Sequence, residues 1–170
     1  SVTTIGKYVF LNCNSLKYNE YENAYYLGNN VNKYIVHIKV KNTNITGCNI
    51  NDNCKFIYDS AFSECSGLTS ITIPDRVTII GNSAFSGCSR LTSVIWNAEN
   101  CTEAGTSGFP IFKDCSALSS VTIGNNVTSI GVSAFYDCTG LTSITIGKNV
   151  TKIGNSAFSG CTGLTKINWN

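Results

Sequence analysis

A 23-residue repeat constrains this 170-residue sequence more than any other feature. Eight of the twelve residues in 83–94 recur at 156–167, with a Phe, a Cys three positions later and a Leu three positions after that. An earlier, divergent copy begins at Phe10. One unit of this length cannot bury its own apolar face, so neighbouring units must stack and share a core. We therefore expect the recurring positions to be structural: Phe62, Cys65, Leu68, Phe85, Cys88, Leu91, Phe112, Cys115, Leu118, Phe135, Cys138, Leu141, Phe158, Cys161 and Leu164.

Each unit predicts the same order of elements. The Leu opens an alternating apolar–polar run, as in 68–73, which predicts a β-strand. A second extended segment is expected at Val-Thr-x-Ile-Gly, as in 127–131, and Ser-Ala-Phe-x-x-Cys predicts one helical or 3₁₀ turn. We expect an α/β solenoid of about seven rungs, with parallel strands on one side and helical turns on the convex side. The predicted strands begin at Leu16, Ile45, Leu68, Leu91, Leu118, Leu141 and Leu164.

The motif at 130–146, Ile-Gly-x-x-Ala-Phe-x-x-Cys-x-x-Leu-x-x-Ile-x-Ile, resembles the BspA-type leucine-rich repeat of bacterial and protist surface proteins. The resemblance covers nearly the whole chain. It implies a non-catalytic adhesion or protein-recognition module of a secreted or cell-surface protein, with a host, neighbouring-cell or matrix protein as partner and no cofactor. Two alternatives stay open: a spacer or stalk in a surface protein, and an ice- or crystal-binding ladder of threonines.

Two insertions interrupt the repeat. In residues 22–44, Gly and Asn between two β-prone runs predict a hairpin. Its second strand would turn Val36, Ile38 and Val40 toward the core and His37 and Lys39 outward. Residues 97–110 predict a loop at the rim that displaces the second extended segment of its repeat and exposes Cys101.

The whole chain, 1–170, is predicted to form one solenoid domain. Its first residues match the tail of a repeat and its last residues end on a strand, so we expect a piece of a longer array. Solenoids need polar caps at their ends, and end-to-end self-association is therefore expected.

Several function classes do not fit. Twelve basic and ten acidic residues are scattered, which argues against nucleic-acid binding, and no apolar run is long enough for membrane insertion.

The cysteines are predicted to be structural. Nine cysteines cannot all pair within one chain. Those of the repeat suit a buried column, while Cys48 and Cys54 fall on core positions, and no Cys-x-x-Cys pair predicts a metal site. His37 is the only histidine and lies near no nucleophile motif, so no catalytic residue is predicted.

Two groups of residues are candidates for partner binding. The first is the outward face of the predicted main sheet, where a purely structural role is equally consistent. The second is the tyrosine-rich beginning of the chain, which we expect to supply the better anchors. The candidates are Ser70, Thr72, Ser93, Ile95, Ser120, Thr122, Ser143, Thr145, Lys166 and Asn168 in the first group, and Lys17, Tyr18, Glu20, Tyr25, Tyr26 and Tyr34 in the second.

Overall fold

A computed structural model describes residues 9–10, 13, 15–101, 103–106 and 108–170. This part of the chain is a β-solenoid of about six turns and contains no helix. Its thirteen strands are β1 (Asn19–Tyr21), β2 (Ala24–Leu27), β3 (Val36–Val40), β4 (Phe56–Ile57), β5 (Ser70–Ile73), β6 (Ile79–Ile80), β7 (Ser93–Trp96), β8 (Glu103–Ala104), β9 (Ser120–Ile123), β10 (Ser129–Ile130), β11 (Ser143–Ile146), β12 (Lys152–Ile153) and β13 (Lys166–Trp169).

The main sheet consists of the five strands that follow the repeated leucines. Strands β5, β7, β9, β11 and β13 pair in parallel, so the same repeat position stands side by side in every rung. Ile71 and Ile73 of β5 point into the core, whereas Ser70 and Thr72 point outward. The predicted parallel strands are therefore confirmed.

The prediction of seven rungs is corrected at the beginning of the chain. The Ile45 segment stacks beside β5 through a hydrogen bond from Thr69 N to Thr46 O (3.3 Å), but it forms no strand. The chain after Leu16 enters β1, which pairs antiparallel with β2 and takes no place in the main sheet.

The second extended segment of each repeat forms the opposite side of the solenoid. Strands β3, β4, β6 and β8 are parallel, and β10 pairs with β12. The 97–110 insertion keeps its segment as β8, contrary to prediction. Cys101 takes the place of Val77, and Ala104 that of Ile80; both are buried. After β8, Thr106 and Phe109 are joined by an isolated antiparallel bridge.

The predicted helical turns are wrong, and the backbone hydrogen bonds explain why. Cys65 N donates within its own turn to Phe62 O (3.2 Å), but Phe62 N donates to Ala84 O of the next rung (2.7 Å). A helix would keep every such donor within its own segment. Positive φ angles at Ser60 (55°) and Glu64 (61°) turn alternate peptides toward the neighbouring rung.

Two columns of side chains fill the core. The rings of Phe62, Phe85, Phe112, Phe135 and Phe158 stack with centroids 4.7–5.5 Å apart. The repeat cysteines from Cys65 to Cys161 form the second column, each at most 9% exposed, but Cys13 of the divergent first copy is exposed and the prediction of burial is wrong for it. Phe10 does not join the stack; its ring packs against Tyr58 with a centroid distance of 5.7 Å.

The predicted hairpin is present. Val40 faces the core and Lys39 is exposed, as predicted, but the facing of residues 36–38 is corrected. Strands β2 and β3 are antiparallel, with an irregularity in register between Tyr25 and Tyr26. His37 is fully buried and stacks on Phe62 at 4.4 Å, while Val36 and Ile38 belong to a separate outer cluster. Simple alternation puts the apolar residues inward, but the aromatic stack favours a planar ring at position 37.

Candidate protein-interaction surfaces

The outward residues of the main sheet form a flat polar surface, which we call the hydroxyl face. Its first ladder runs across the strands as Ser70, Ser93, Ser120, Ser143 and Lys166. The second ladder is Thr72, Ile95, Thr122, Thr145 and Asn168, in which Ile95 is 46% exposed. Ile95 and the last rung interrupt the hydroxyl groups, so the face offers no continuous array of threonines.

A second surface lies on the outer side of the hairpin. We call Tyr18, Glu20, Tyr25, Lys39 and Lys41 the tyrosine surface. Strand pairing brings Glu20, Tyr25 and Lys39 into one row. The rings of Tyr18 and Tyr25 lie 5.5 Å apart, and Lys39 Nζ is 5.9 Å from the centroid of each.

The tyrosine surface is held by several weak contacts. Lys41 Nζ donates a hydrogen bond to Glu20 Oε2 at 2.6 Å and lies 5.8 Å from the Tyr25 centroid. An exposed cation–π contact stabilises by about 0.5–1 kcal/mol, and an exposed ion pair by about 1 kcal/mol at most. Beneath Tyr18, the outer cluster of Val36, Ile38 and Phe56 supplies a buried platform. The rings are therefore partly exposed and ordered before any partner arrives.

Some of the tyrosines predicted to bind a partner are accessible, and others are buried. Tyr26 is fully buried, and its hydroxyl accepts a hydrogen bond from Asn51 N (3.2 Å); burial raises its pKa well above the usual value. It is therefore part of the core and unavailable to a partner. Tyr34 is half-buried, with its centroid 5.6 Å from that of Tyr26. Tyr18 and Glu20 do not continue the hydroxyl face, because β1 belongs to the other sheet.

The thiols serve packing. Cys88 Sγ donates to Phe62 O (3.2 Å) and Cys115 Sγ to Phe85 O (3.1 Å), so the column adds weak bonds between rungs. A hydrogen bond with Cys115 and burial raise the pKa of Cys88 to about 12. Cys101 is fully buried, which corrects its prediction as an exposed thiol. Within the described ranges, no three His, Cys, Asp or Glu side chains are grouped to hold a metal ion.

One cavity was not predicted from the sequence. A cleft of about 980 Å³ lies where the hairpin and the 47–53 segment meet the turns after β5, β7 and β9. Its lining includes Tyr21, Asp52, Asp75, Arg76 and Glu99. The sequence gives little warning of the cleft, because Asn51, Asp52 and Asn53 align with the turn positions 74–76 and 124–126, which carry polar residues as well.

Comparison with known families accounts for the repeat. The model of the BspA type leucine rich repeat region matches residues 1–42 and 33–165, with six copies. The chain belongs to the BspA-type leucine-rich repeat family. The BspA-type unit is thus the strand, turn and second strand described above. Proteins of this family are in general non-catalytic scaffolds, which indicates a repeat module or a protein-interaction module.

Two solved structures of leucine-rich repeat proteins share the fold. The T. pallidum leucine-rich repeat protein matches with a TM-score of 0.61 and 21% identity, over 89% of this chain and 82% of that one. A leucine-rich repeat protein from Eubacterium ventriosum matches with a TM-score of 0.57 and 23% identity, over 71% of this chain. The match spans only 32% of the Eubacterium chain. No curated protein matches significantly. None of the described residues belongs to a helix that could cross a bilayer.

Proposed function

We propose that this chain is a non-catalytic protein-recognition or adhesion module of a secreted or cell-surface protein. Membership of the BspA-type family supports both the role and the location. The partner is a protein on a host or neighbouring cell, or in the matrix. The observation that carries the proposal is the tyrosine surface, where two partly exposed rings flank Lys39 on an ordered strand pair.

The tyrosine surface has the composition of a binding hot spot. Tyrosine supplies a large contact area and loses little side-chain entropy on binding, and hot spots are enriched in it. The hydroxyl face is broad, flat and short of anchors, so it suits the surrounding contact area. Truncating both exposed rings should then cost far more affinity than truncating two hydroxyl side chains.

The test is binding of the full chain to a panel of extracellular matrix and cell-surface proteins by surface plasmon resonance. Tyr18→Ala with Tyr25→Ala should weaken binding about tenfold or more, which corresponds to a typical hot-spot loss of about 1.4 kcal/mol or above. The matched control is Ser143→Ala with Thr145→Ala on the hydroxyl face. Deleting 22–44 is unsuitable because it would remove Tyr26 and His37 from the core.

A spacer or stalk is the second candidate, favoured by the regular five-strand main sheet. A spacer would bind none of the panel proteins. Equal binding by the tyrosine variant and its control would show that the tyrosine surface is not the binding site. Recognition would then have to use another surface of the chain.

A further inference from the structure

The cleft at the carboxyl ends of the main-sheet strands has the dimensions of a ligand site. One wall is the 47–53 segment, with Tyr21 at the end of β1. Ser70 and Thr72 of β5 form the floor, and the turns after β5, β7 and β9 form the far wall. Its volume of about 980 Å³ lies at the upper end of the roughly 300–1,000 Å³ typical of small-molecule sites.

The wall nearest the hairpin is fixed by hydrogen bonds. The Glu22 carboxylate accepts from Asn49 N (3.3 Å) and from Asn49 Nδ2 (3.1 Å). Asn51 N donates to the buried hydroxyl of Tyr26 (3.2 Å). The hairpin therefore holds the wall in place without a ligand, and a ligand would pay little ordering entropy on entry.

The chemistry of the lining is polar and planar. Five carboxamides line the cleft, together with the carboxylates of Asp52, Asp75 and Glu99 and the guanidinium of Arg76. Among the described residues the only ion pair joins Lys41 to Glu20, so none of these charged groups is neutralised in a salt bridge. Planar groups with paired donors or acceptors can bond two neighbouring hydroxyl groups at once. Adjacent hydroxyls of that kind are characteristic of a sugar ring.

Other ligand classes fit the lining less well. An anionic ligand would meet three carboxylates and one guanidinium. An apolar ligand would bury the carboxamides without partners, at a cost of roughly 1–3 kcal/mol each. The carboxamides outnumber the carboxylates, and Arg76 stands among them, which disfavours a basic peptide.

The distance between successive rungs favours a chain of sugars over a single sugar ring. Asp75 and Glu99 stand in successive rungs, linked by a hydrogen bond from Glu99 N to Asp75 O (3.1 Å). Parallel strands lie about 4.8 Å apart. One sugar in an extended hexose chain advances by a similar length. Successive sugars can thus meet equivalent side chains on successive turns.

We propose that this cleft binds a linear, uncharged oligosaccharide, with the carboxylates and carboxamides of successive turns bonding its hydroxyl groups. The proposed anchors of protein recognition lie elsewhere, because the tyrosine surface contributes no residue to the cleft; the hydroxyl face shares Ser70 and Thr72 with it. Tyr21 supplies the aromatic wall against which a sugar ring can pack.

The test is calorimetric titration of the full chain with maltohexaose, cellohexaose and mannohexaose, beside a heparin hexasaccharide and hexalysine. At least one neutral hexasaccharide should bind with a saturable isotherm. Asp75→Ala with Glu99→Ala should weaken that binding about tenfold or more, as the loss of a hydrogen bond to a charged group does. Ser143→Ala with Thr145→Ala, which lies outside the cleft, should leave it unchanged.

Three results would overturn the proposal: no binding of any neutral hexasaccharide at millimolar concentration, equal affinity in the cleft variant, or binding of hexalysine alone. Thermal melting of each variant checks the fold. Arg76→Ala serves as a second cleft variant should the first be destabilised, because Arg76 is exposed and forms no ion pair in the described structure.

Discussion

Replacing His37 by Phe should remove an acid sensitivity that the core imposes on this protein. The imidazole is fully buried between Phe62, at a centroid distance of 4.4 Å, and Tyr26, at 4.8 Å. Neither ring nitrogen has a hydrogen-bond partner in the part of the chain that the structure describes. Burial lowers the pKa of His37 from 6.5 to about 3, because the charged ring would lose its hydration without gaining an acceptor.

The sign of the effect follows from the direction of this shift. Above pH 6.5, His37 is neutral in both the folded and the unfolded chain, so it contributes no pH dependence. Between pH 6.5 and about 3 only the unfolded chain binds the proton, and the free energy of unfolding falls by about 1.4 kcal/mol per pH unit. At pH 5 the loss is about 2 kcal/mol, which lowers Tm by about 4–8 °C in a chain of this size.

The assay is thermal unfolding by circular dichroism at intervals between pH 7.5 and 4.5 for the wild type and His37→Phe. The difference in Tm should widen steadily below pH 6.5, since carboxylates titrate alike in both proteins and cancel. Phe85→His is the mirror control, because it places a second imidazole in the same stack and should steepen the loss. Parallel pH profiles for wild type and His37→Phe would refute the reasoning.

Three further results are expected. A thiol reagent should modify Cys13 rapidly in the native protein, Cys48 more slowly because burial raises its pKa to about 11, and the buried cysteines only after denaturation; rapid reaction of the repeat column would contradict its burial. Trp169, 66% exposed on edge strand β13, should drive concentration-dependent self-association in sedimentation velocity, and Trp169→Lys should reduce it; a monomer at every concentration would exclude this contact. Phe112→Ala should lower the free energy of unfolding in urea by about 3–5 kcal/mol, whereas Phe109→Ala, at an exposed site, should change it by less than about 0.5; equal effects would argue against the stack.

The beginning of the chain shows where sequence reasoning failed. Alternation in 36–40 favoured Val36 and Ile38 as core residues, yet His37 occupies the core and extends the phenylalanine stack. The register irregularity opposite Tyr25 and Tyr26 changes which side chains face inward. No local pattern in the sequence encodes that irregularity, because it results from pairing between distant segments.

The predictions for the turns and for the 97–110 insertion were wrong for a related reason. Apolar residues three apart suggested a helical turn, but Phe62 N bonds to Ala84 O in the next rung. Donors that belong to a neighbouring repeat cannot be assigned within one repeat. Cys101 was likewise predicted to be a loop residue, but it takes the place of Val77 in the core and is buried.

The sequence by itself determined the repeat, its parallel main strands and the residues that alternate along them, because a side-chain period of two and a repeat of 23 residues leave few other ways to bury the Leu and Ile positions. Only the tertiary structure decided which tyrosines remain accessible, that β1 leaves the main sheet, and that a polar cleft opens beside the hairpin. Those features depend on contacts between segments far apart in the chain, where the free energy of packing overrides local pattern.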